Sequence, residues 1–284
     1  MSSYRFCRTD DVPLLVDAYN ACYAPHFATE HAMTIGDFKR GIRELNLWSS
    51  SSMLAFEGDE PIAVLLAAKR DHANLVHRIA VRPGHERRGH GRHLLGSLGK
   101  KLAILGPPRL VAEVPAEWEE VRRFFESSGF QAEAHYADFV LEAERKPTDT
   151  GGLVSEVTLE DLLESGAFDS SLPRSWERSL LTLQNRKSQI EGLAVATDVR
   201  IEAYLLHRLD PDTGTREIVA LGAQPGEPGE ALLRLLVSSL YERRSGLVQV
   251  PRVSEVEVGF SRLEELGFRR QREYVGYTAA AIAN

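Results

Sequence analysis

Cysteine is nearly absent from this chain. Cys7 and Cys22 are the only two, and no CxxC or Cys/His spacing surrounds them. That excludes a zinc site and a disulfide framework, and no metal is expected. Two thiols suit a reducing compartment. Long apolar runs are also missing. No stretch approaches the ~18 uninterrupted apolar residues of a membrane helix. The opening MSSYRFCRTDD lacks a run of signal-peptide length, so the expected location is cytoplasmic, with no membrane partner. Nor is there an excess of cations. The formal net charge of -7 disfavours general nucleic-acid binding, because a phosphate backbone needs a broad basic face.

What is present suits a folded chain. The 284 residues are 43% hydrophobic and 26% charged, enough for a packed core. The length accommodates two domains of about 140 residues each. Strands and helices alternate in the first half. YRFCR is a strand, then TDDVPLLVDAYNACY has helical spacing with Thr9 or Asp10 as its N-cap. TIGDFKRGIREL is a second helix beginning at Thr34. SMLAFEG, PIAVLLAAKR and NLVHRIAVRP are apolar, β-branched runs, the first two joined by a GDE turn. Leu94, Leu95, Leu98, Leu102 and Leu105 mark one helix face. PRLVAEVP is a strand, EWEEVRRFFESSGF a helix ending near Gly129, and QAEAHYADFVLEAE a closing strand.

RKPTDTGG then reads as a linker, and a second series of the same kind follows. LVQVP echoes LVAEVP, and SRLEELGF echoes RFFESSGF. Pro225 answers Pro83 at an offset of 142, while Leu232-Leu233 answers Leu94-Leu95 at 138. The shortening falls in one place, the segment VRPGHERRGHGRHLL of the first copy. The second copy has only QPGEPGEALL there, without an arginine. The reading is an α/β (α+β, mixed-sheet) chain with a first domain at 1–145, a linker at 146–152 and a degenerate second copy at 153–284.

The basic segment has the parts of a phosphate cradle. A strand delivers the chain to Pro83. Gly89 and Gly91 permit backbone conformations closed to other residues and a close approach to the main chain. The helix behind them offers unpaired N–H groups and a positive dipole end. Arg87, Arg88 and Arg92 add charge. A Walker loop is excluded, since no GxxxxGK[ST] occurs, and a Rossmann site would follow an early strand rather than the fourth. The bland alternative is a solvated basic turn.

The order strand, V-x-P, basic glycine loop, leucine-spaced helix, strand, and helix ending in GF resembles the GCN5-related N-acetyltransferase (GNAT) family. The resemblance covers residues 3–144 by motif and about 153–280 by order of elements, as in tandem members of the family. It implies acetyl-CoA as cosubstrate, a small-molecule amine as acceptor and direct acetyl transfer by the first copy. The loop pattern Q/R-x-x-G-x-G/A maps onto Glu86, Arg87, Arg88, Gly89, His90 and Gly91, with Glu86 in place of Gln or Arg. Ile79, Ala80 and Val81 become the cofactor edge. LVHRIAV is similar to the arylalkylamine acetyltransferases, which makes His77 a base. Its other reading is a hydrogen-bonded core histidine, for instance beside Glu113. The family's usual acid, a tyrosine four residues before the glycine of GF, is Phe125 here and Leu263 in the second copy. Phe125 either packs on the cofactor or belongs to the core. Tyr136 or Tyr23 could replace the missing acid, and Glu117 is a further candidate. Tyr23, His26, Glu30 and His31 lie in the segment that forms the acceptor wall or a plain loop. A monomer or homodimer is expected. An acyl-CoA sensor without turnover, and a protein acetyltransferase, are the rival classes.

Overall fold

Helix and strand alternate along the chain as the apolar spacing predicts. The computed structural model describes residues 2–26, 32–142, 153–210, 213–243 and 247–281. The linker expected at 146–152 and the candidates Glu30 and His31 lie outside them. The first elements are β1 (Ser2–Phe6), α1 (Val12–Cys22), α2 (Ile35–Leu45), β2 (Met53–Glu57), β3 (Glu60–Lys69), β4 (Asn74–Val81), α3 (His90–Leu105), β5 (Arg109–Pro115), α4 (Glu119–Ser127) and β6 (Gln131–Leu141). Then follow β7 (Ser155–Glu156), α5 (Leu159–Glu164), α6 (Leu180–Asn185), β8 (Ile190–Ala196), β9 (Ile201–Leu209), β10 (Arg216–Ala223), α7 (Glu227–Arg243), β11 (Val248–Ser254), α8 (Phe260–Glu265) and β12 (Arg269–Ala280).

The helix starts show how local chemistry acts. Thr34 caps α2: its hydroxyl accepts from the Asp37 N–H while the Asp37 carboxylate accepts from the Thr34 N–H. Thr158 and Asp161 repeat this reciprocal cap on α5. At α1 the cap is neither Thr9 nor Asp10, as the sequence suggested, but Asp11, and its carboxylate caps nothing. It is drawn instead to the Arg5 guanidinium at 2.6 and 3.1 Å and to the Arg8 N–H. Those donors hold it well below the usual carboxylate range, at about 2.

Two compact units result. One comprises Met1–Ala134 with Val275–Asn284, the other His135–Tyr274. The boundaries fall inside β6 and β12, so each sequence half gives up the later part of its last strand. In unit 1 the order is β1-β2-β3-β4-β5 and the end of β12; in unit 2 it is β6-β11-β10-β9-β8-β7. The core of unit 1 sets Leu94, Leu95, Leu98 and Leu102 of α3 against Ala63, Leu65 and Ala67 of β3 and Leu110, Ala112 and Val114 of β5, and Val275 and Tyr277 join it. Leu105, expected on the same face, is exposed. The core of unit 2 places Leu233, Leu236, Val237 and Leu240 against β9, β10 and β11, with Phe139 and Leu141 from β6.

The same irregularity occurs in both units. Leu66 faces Arg78 but Ala67 faces Val76, so His77 is an extra residue, a β-bulge in β4. Past the bulge β4 leaves β5. Their parallel register is Asn74↔Leu110 and Leu75↔Val111, yet β4 runs on to Val81. In unit 2, Val219 is the extra residue of β10, and β10 meets β11 only at Arg216↔Val248 and Glu217↔Gln249.

In unit 2 the chain fills the opening itself. Arg178, 0% exposed, donates from Nη1 to the Ile218 carbonyl of β10 at 2.8 Å and the Pro251 carbonyl of β11 at 3.2 Å. Its Nε and Nη2 grip the buried Glu257 carboxylate at 2.7–3.1 Å. Arg178 precedes α6, which begins at Leu180. Removing one partner of such a pair strands a buried charge, at about 3–5 kcal/mol. We expect Arg178→Met or Glu257→Leu alone to lower stability by about that much in urea unfolding, and the double replacement to regain part of the loss. A single variant as stable as the parent would contradict the closure.

Candidate active site

The opening in unit 1 is a cleft of about 510 Å³. Ile79, Ala80 and Val81 of β4 form one wall. The loop Glu86, Arg87, Gly89 and the first turn of α3, His90, Gly91 and Arg92, form the floor. Trp118, Glu120, Val121 and Phe124 face it from α4 and its approach, and Tyr23 and His26 from the end of α1. Trp118, Val121 and Phe124 follow helical spacing, an apolar stripe that the sequence reading assigned to no site.

The glycines fit a cradle. Gly89 stands before α3 at φ 87°, a conformation that other residues adopt only with strain. A Cβ on Gly91 would sit 3.4 Å from the Phe124 ring, so a side chain there would crowd the floor. The helix N-terminus behind both presents N–H groups and a positive dipole end. Arg87 and Arg92 stand at the rim, and Arg87 lies 3.8 Å from Glu120. Glu86 turns inward on its own loop. Its own N–H and that of Gly84 hold its carboxylate below the usual range. Arg88 also turns back, donating to the Gly84 carbonyl, and does not line the cleft.

His90 is fixed from below. Its Nδ1 lies 2.8 Å from the Tyr4 hydroxyl. Burial, then the neighbouring His85 and Arg88 cations, lower its pKa. His26 Nε2 lies 2.8 Å from the Val81 carbonyl; since a carbonyl only accepts, that nitrogen donates and Nδ1 holds the lone pair when the ring is neutral. Tyr23 is buried, stacked on Tyr19 with ring centroids 4.8 Å apart. The Arg78 guanidinium carbon also lies 5.6 Å from the Tyr23 ring centroid.

The other expected residues are dispersed. The bulge breaks the alternation that would have aligned His77 with Ile79 and Val81, and His77 is half-buried at the bulge, outside the cleft lining. Phe125, 2% exposed, belongs to the core, against Phe130 and Tyr277; Phe124 faces the cleft instead. Glu117 is exposed in the turn before α4, and its neighbour Trp118 lines the site. Tyr136 stands in unit 2, opposite Ser254 of β11. In exchange unit 1 has Tyr277, whose hydroxyl bonds Arg122 and Glu126 rather than the cleft. Both cysteines are buried, which pushes their thiols up, to about 12 for Cys7 and about 11 for Cys22. Among the described residues no cluster could hold a metal ion, and no helix is long and apolar enough to cross a membrane.

A parted parallel strand pair above a glycine loop defines a class of protein. Residues 13–130 match the acetyltransferase (GNAT) family. The chain as a whole has the fold of tandem GNAT proteins. A GCN5-related N-acetyltransferase from Sphaerobacter thermophilus is 15% identical with a TM-score of 0.68, covering 99% of this chain and 96% of its own. A tandem GNAT protein from the clavulanic acid biosynthesis pathway is also 15% identical, with a TM-score of 0.67 and full coverage of both chains. A fungal glucosamine N-acetyltransferase region within a multi-domain GH3 beta-N-acetylglucosaminidase has a TM-score of 0.72 at 14% identity, covering 98% of this chain and 38% of that one. These identities establish fold, not substrate. No curated protein sequence matches the chain. The family uses acetyl-CoA, and its fold supports N-acetyltransferase activity.

The lowered pKa of His90 has a measurable consequence. The folded chain binds its proton more weakly than the unfolded chain, whose ordinary value is 6.5. This contribution to stability is therefore present above that value and lost as pH falls below it. We expect His90→Gln to flatten the decline in melting temperature between about pH 6.5 and 5. An unchanged slope would show that His90 does not carry it.

Proposed function

We propose that this protein is an acetyl-CoA-dependent N-acetyltransferase that acts in the cytoplasm on a small-molecule amine by direct transfer, and that unit 1 carries the reaction. The observation that carries the reading is the parted β4–β5 pair, which leads into a glycine loop at a helix N-terminus within one cleft. The backbone of Ile79–Val81 hydrogen-bonds the extended pantetheine arm as a strand would bond a neighbour. N–H groups from Gly89 to Gly91 take the pyrophosphate, with charge from Arg87 and Arg92. Trp118, Val121 and Phe124 cover the apolar part of the arm and exclude water. Arg88 and the loop glutamate contribute through the loop's shape.

Acetyl-CoA supplies the acetyl group as a thioester. A nitrogen–carbon bond forms and the carbon–sulfur bond breaks. His77, at the bulge where the strands part, receives the amine proton through water. Tyr23, the tyrosine of the lining, gives its proton to the leaving thiolate and regains one from solvent. Unit 2 is the degenerate copy. Its link from β10 to α7 is only residues 224–226, a Cβ on Gly229 would collide with the Gln224 carbonyl, and Arg178 closes its strand pair. A second reading, an acyl-CoA sensor without turnover, is favoured by Phe125 in place of the family tyrosine and by the Glu86 carboxylate on the loop amides.

Calorimetric titration should find one acetyl-CoA per chain. Gly89→Val should abolish binding while the fold persists, because strain at φ 87° costs about 1–3 kcal/mol. Undiminished affinity would remove the loop from the site. Glu86→Gln should tighten binding by removing a negative charge from beside the phosphates. His77→Gln should lower kcat while acetyl-CoA affinity holds, and full activity across pH would refute its role. Cofactor binding without thiol release from any amine would favour the sensor.

A further inference from the structure

We infer that the acceptor amine carries a carboxylate and that Arg78 is the residue that selects it; this deepens the acetyl-transfer reading and rests on it. Arg78 follows the bulge residue on β4, one position before the cleft wall begins at Ile79. It is a half-buried cation. The guanidiniums buried in unit 2 show how such a group is ordinarily neutralised: Arg178 and Arg174 share Glu257, and Arg208 has Glu217. Arg78 has no acid. Among the described residues no carboxylate lies in ion-pair range of it. Its Nη1 donates to the neighbouring His77 carbonyl at 2.8 Å. Its Nε is shielded from water without a hydrogen-bond partner.

A guanidinium nitrogen shielded from water and left without a partner is costly unless something pairs with the group. Here its position tells what that is. The Tyr23 ring, itself part of the cleft lining, holds the guanidinium at 5.6 Å and limits how the plane can tilt. With Nη1 on the His77 carbonyl and Nε closed to solvent, the Nη2 N–H groups remain to donate to a carboxylate. The strands part at this point, and Arg78 stands one residue beyond the cleft wall, beside the lining residue Tyr23 and at the end of β4 away from the phosphate loop. Arg78 is therefore not a phosphate ligand, because Arg87 and Arg92 border the loop at the opposite end of β4. An amine with a carboxylate a few bonds away would place its anion on Arg78 and its nitrogen at the transfer point.

The test uses the full chain with matched amines that differ only in the carboxylate: glycine and methylamine, phenylalanine and phenethylamine, lysine and cadaverine. We expect the carboxylate member of at least one pair to have the higher kcat/KM. Arg78→Gln should then cost that member about tenfold or more beyond its partner, chiefly in KM, with Arg78→Lys intermediate and the acetyl-CoA Kd unchanged. Preference for the amines without carboxylate, or equal loss on both members of a pair, overturns the inference. If acetyl-CoA binds but no pair is acetylated, the same amines are titrated into the CoA-loaded protein. Binding of a carboxylate amine that Arg78→Gln abolishes supports the inference, and no such binding overturns it. Failure to bind acetyl-CoA overturns the transfer reading instead, and the titration without CoA then decides the anion site alone.

Discussion

Two parallel strands that part after two residue pairs leave peptide groups facing a gap, and buried peptide groups must find partners. The site follows from that constraint. The extra residue His77 turns β4 out of register with β3, and the strand then diverges from β5 while α3 and α4 cover the opening. In unit 2 the same demand is met from within: Arg178 spans the gap to the Ile218 and Pro251 carbonyls, neutralised by Glu257. In unit 1 the chain leaves a cleft, and the His26 ring reaches the β4 edge at the Val81 carbonyl. One copy is self-satisfied, and on the proposed reading the other accepts a ligand.

The floor of the cleft depends on small residues at chosen points. Gly89 adopts a backbone conformation that side chains avoid, and Gly91 stands against Phe124 with little room for a Cβ. Three histidines in the same segment do different work. His85 lies 3.5 Å from Glu57, His90 sits on the Tyr4 hydroxyl, and His93 stacks on the Tyr4 ring at 3.8 Å. The loop is thus anchored to β1 and β2, and its arginines are left to the rim.

Much of this was legible in the residues. The alternation of strands and helices was carried by apolar spacing, and Thr34 announced α2. The change of offset from 142 to 138 located the shortened loop of the second copy, where β10 now reaches α7 through residues 224–226. The glycine loop could be read because φ > 0 and close approach have few sequence solutions. Other features left no local signal. The terminal strands of the halves, QAEAHYADFVL and RRQREYVGYTAA, carry no mark of which unit takes their apolar ends, and the exchange moved Tyr136 out of unit 1 and Tyr277 in. A bulge is one residue in a continuous run, so His77 read as regular alternation. Phe124 and Phe125 are neighbours on a helix, and which of them faces the cleft depends on a packing angle that the family pattern does not encode for this chain. Nothing local marks Arg178 as the partner of Glu257, far along the chain.

Hydrogen exchange read by mass spectrometry tests the central claim most directly, because it reports each unit separately. Acetyl-CoA should protect amides in residues 79–92, the β4 edge and glycine loop of unit 1. Residues 219–230, their counterpart in unit 2, should exchange at the same rate with and without it. Protection of 219–230, or none in 79–92, would contradict the account.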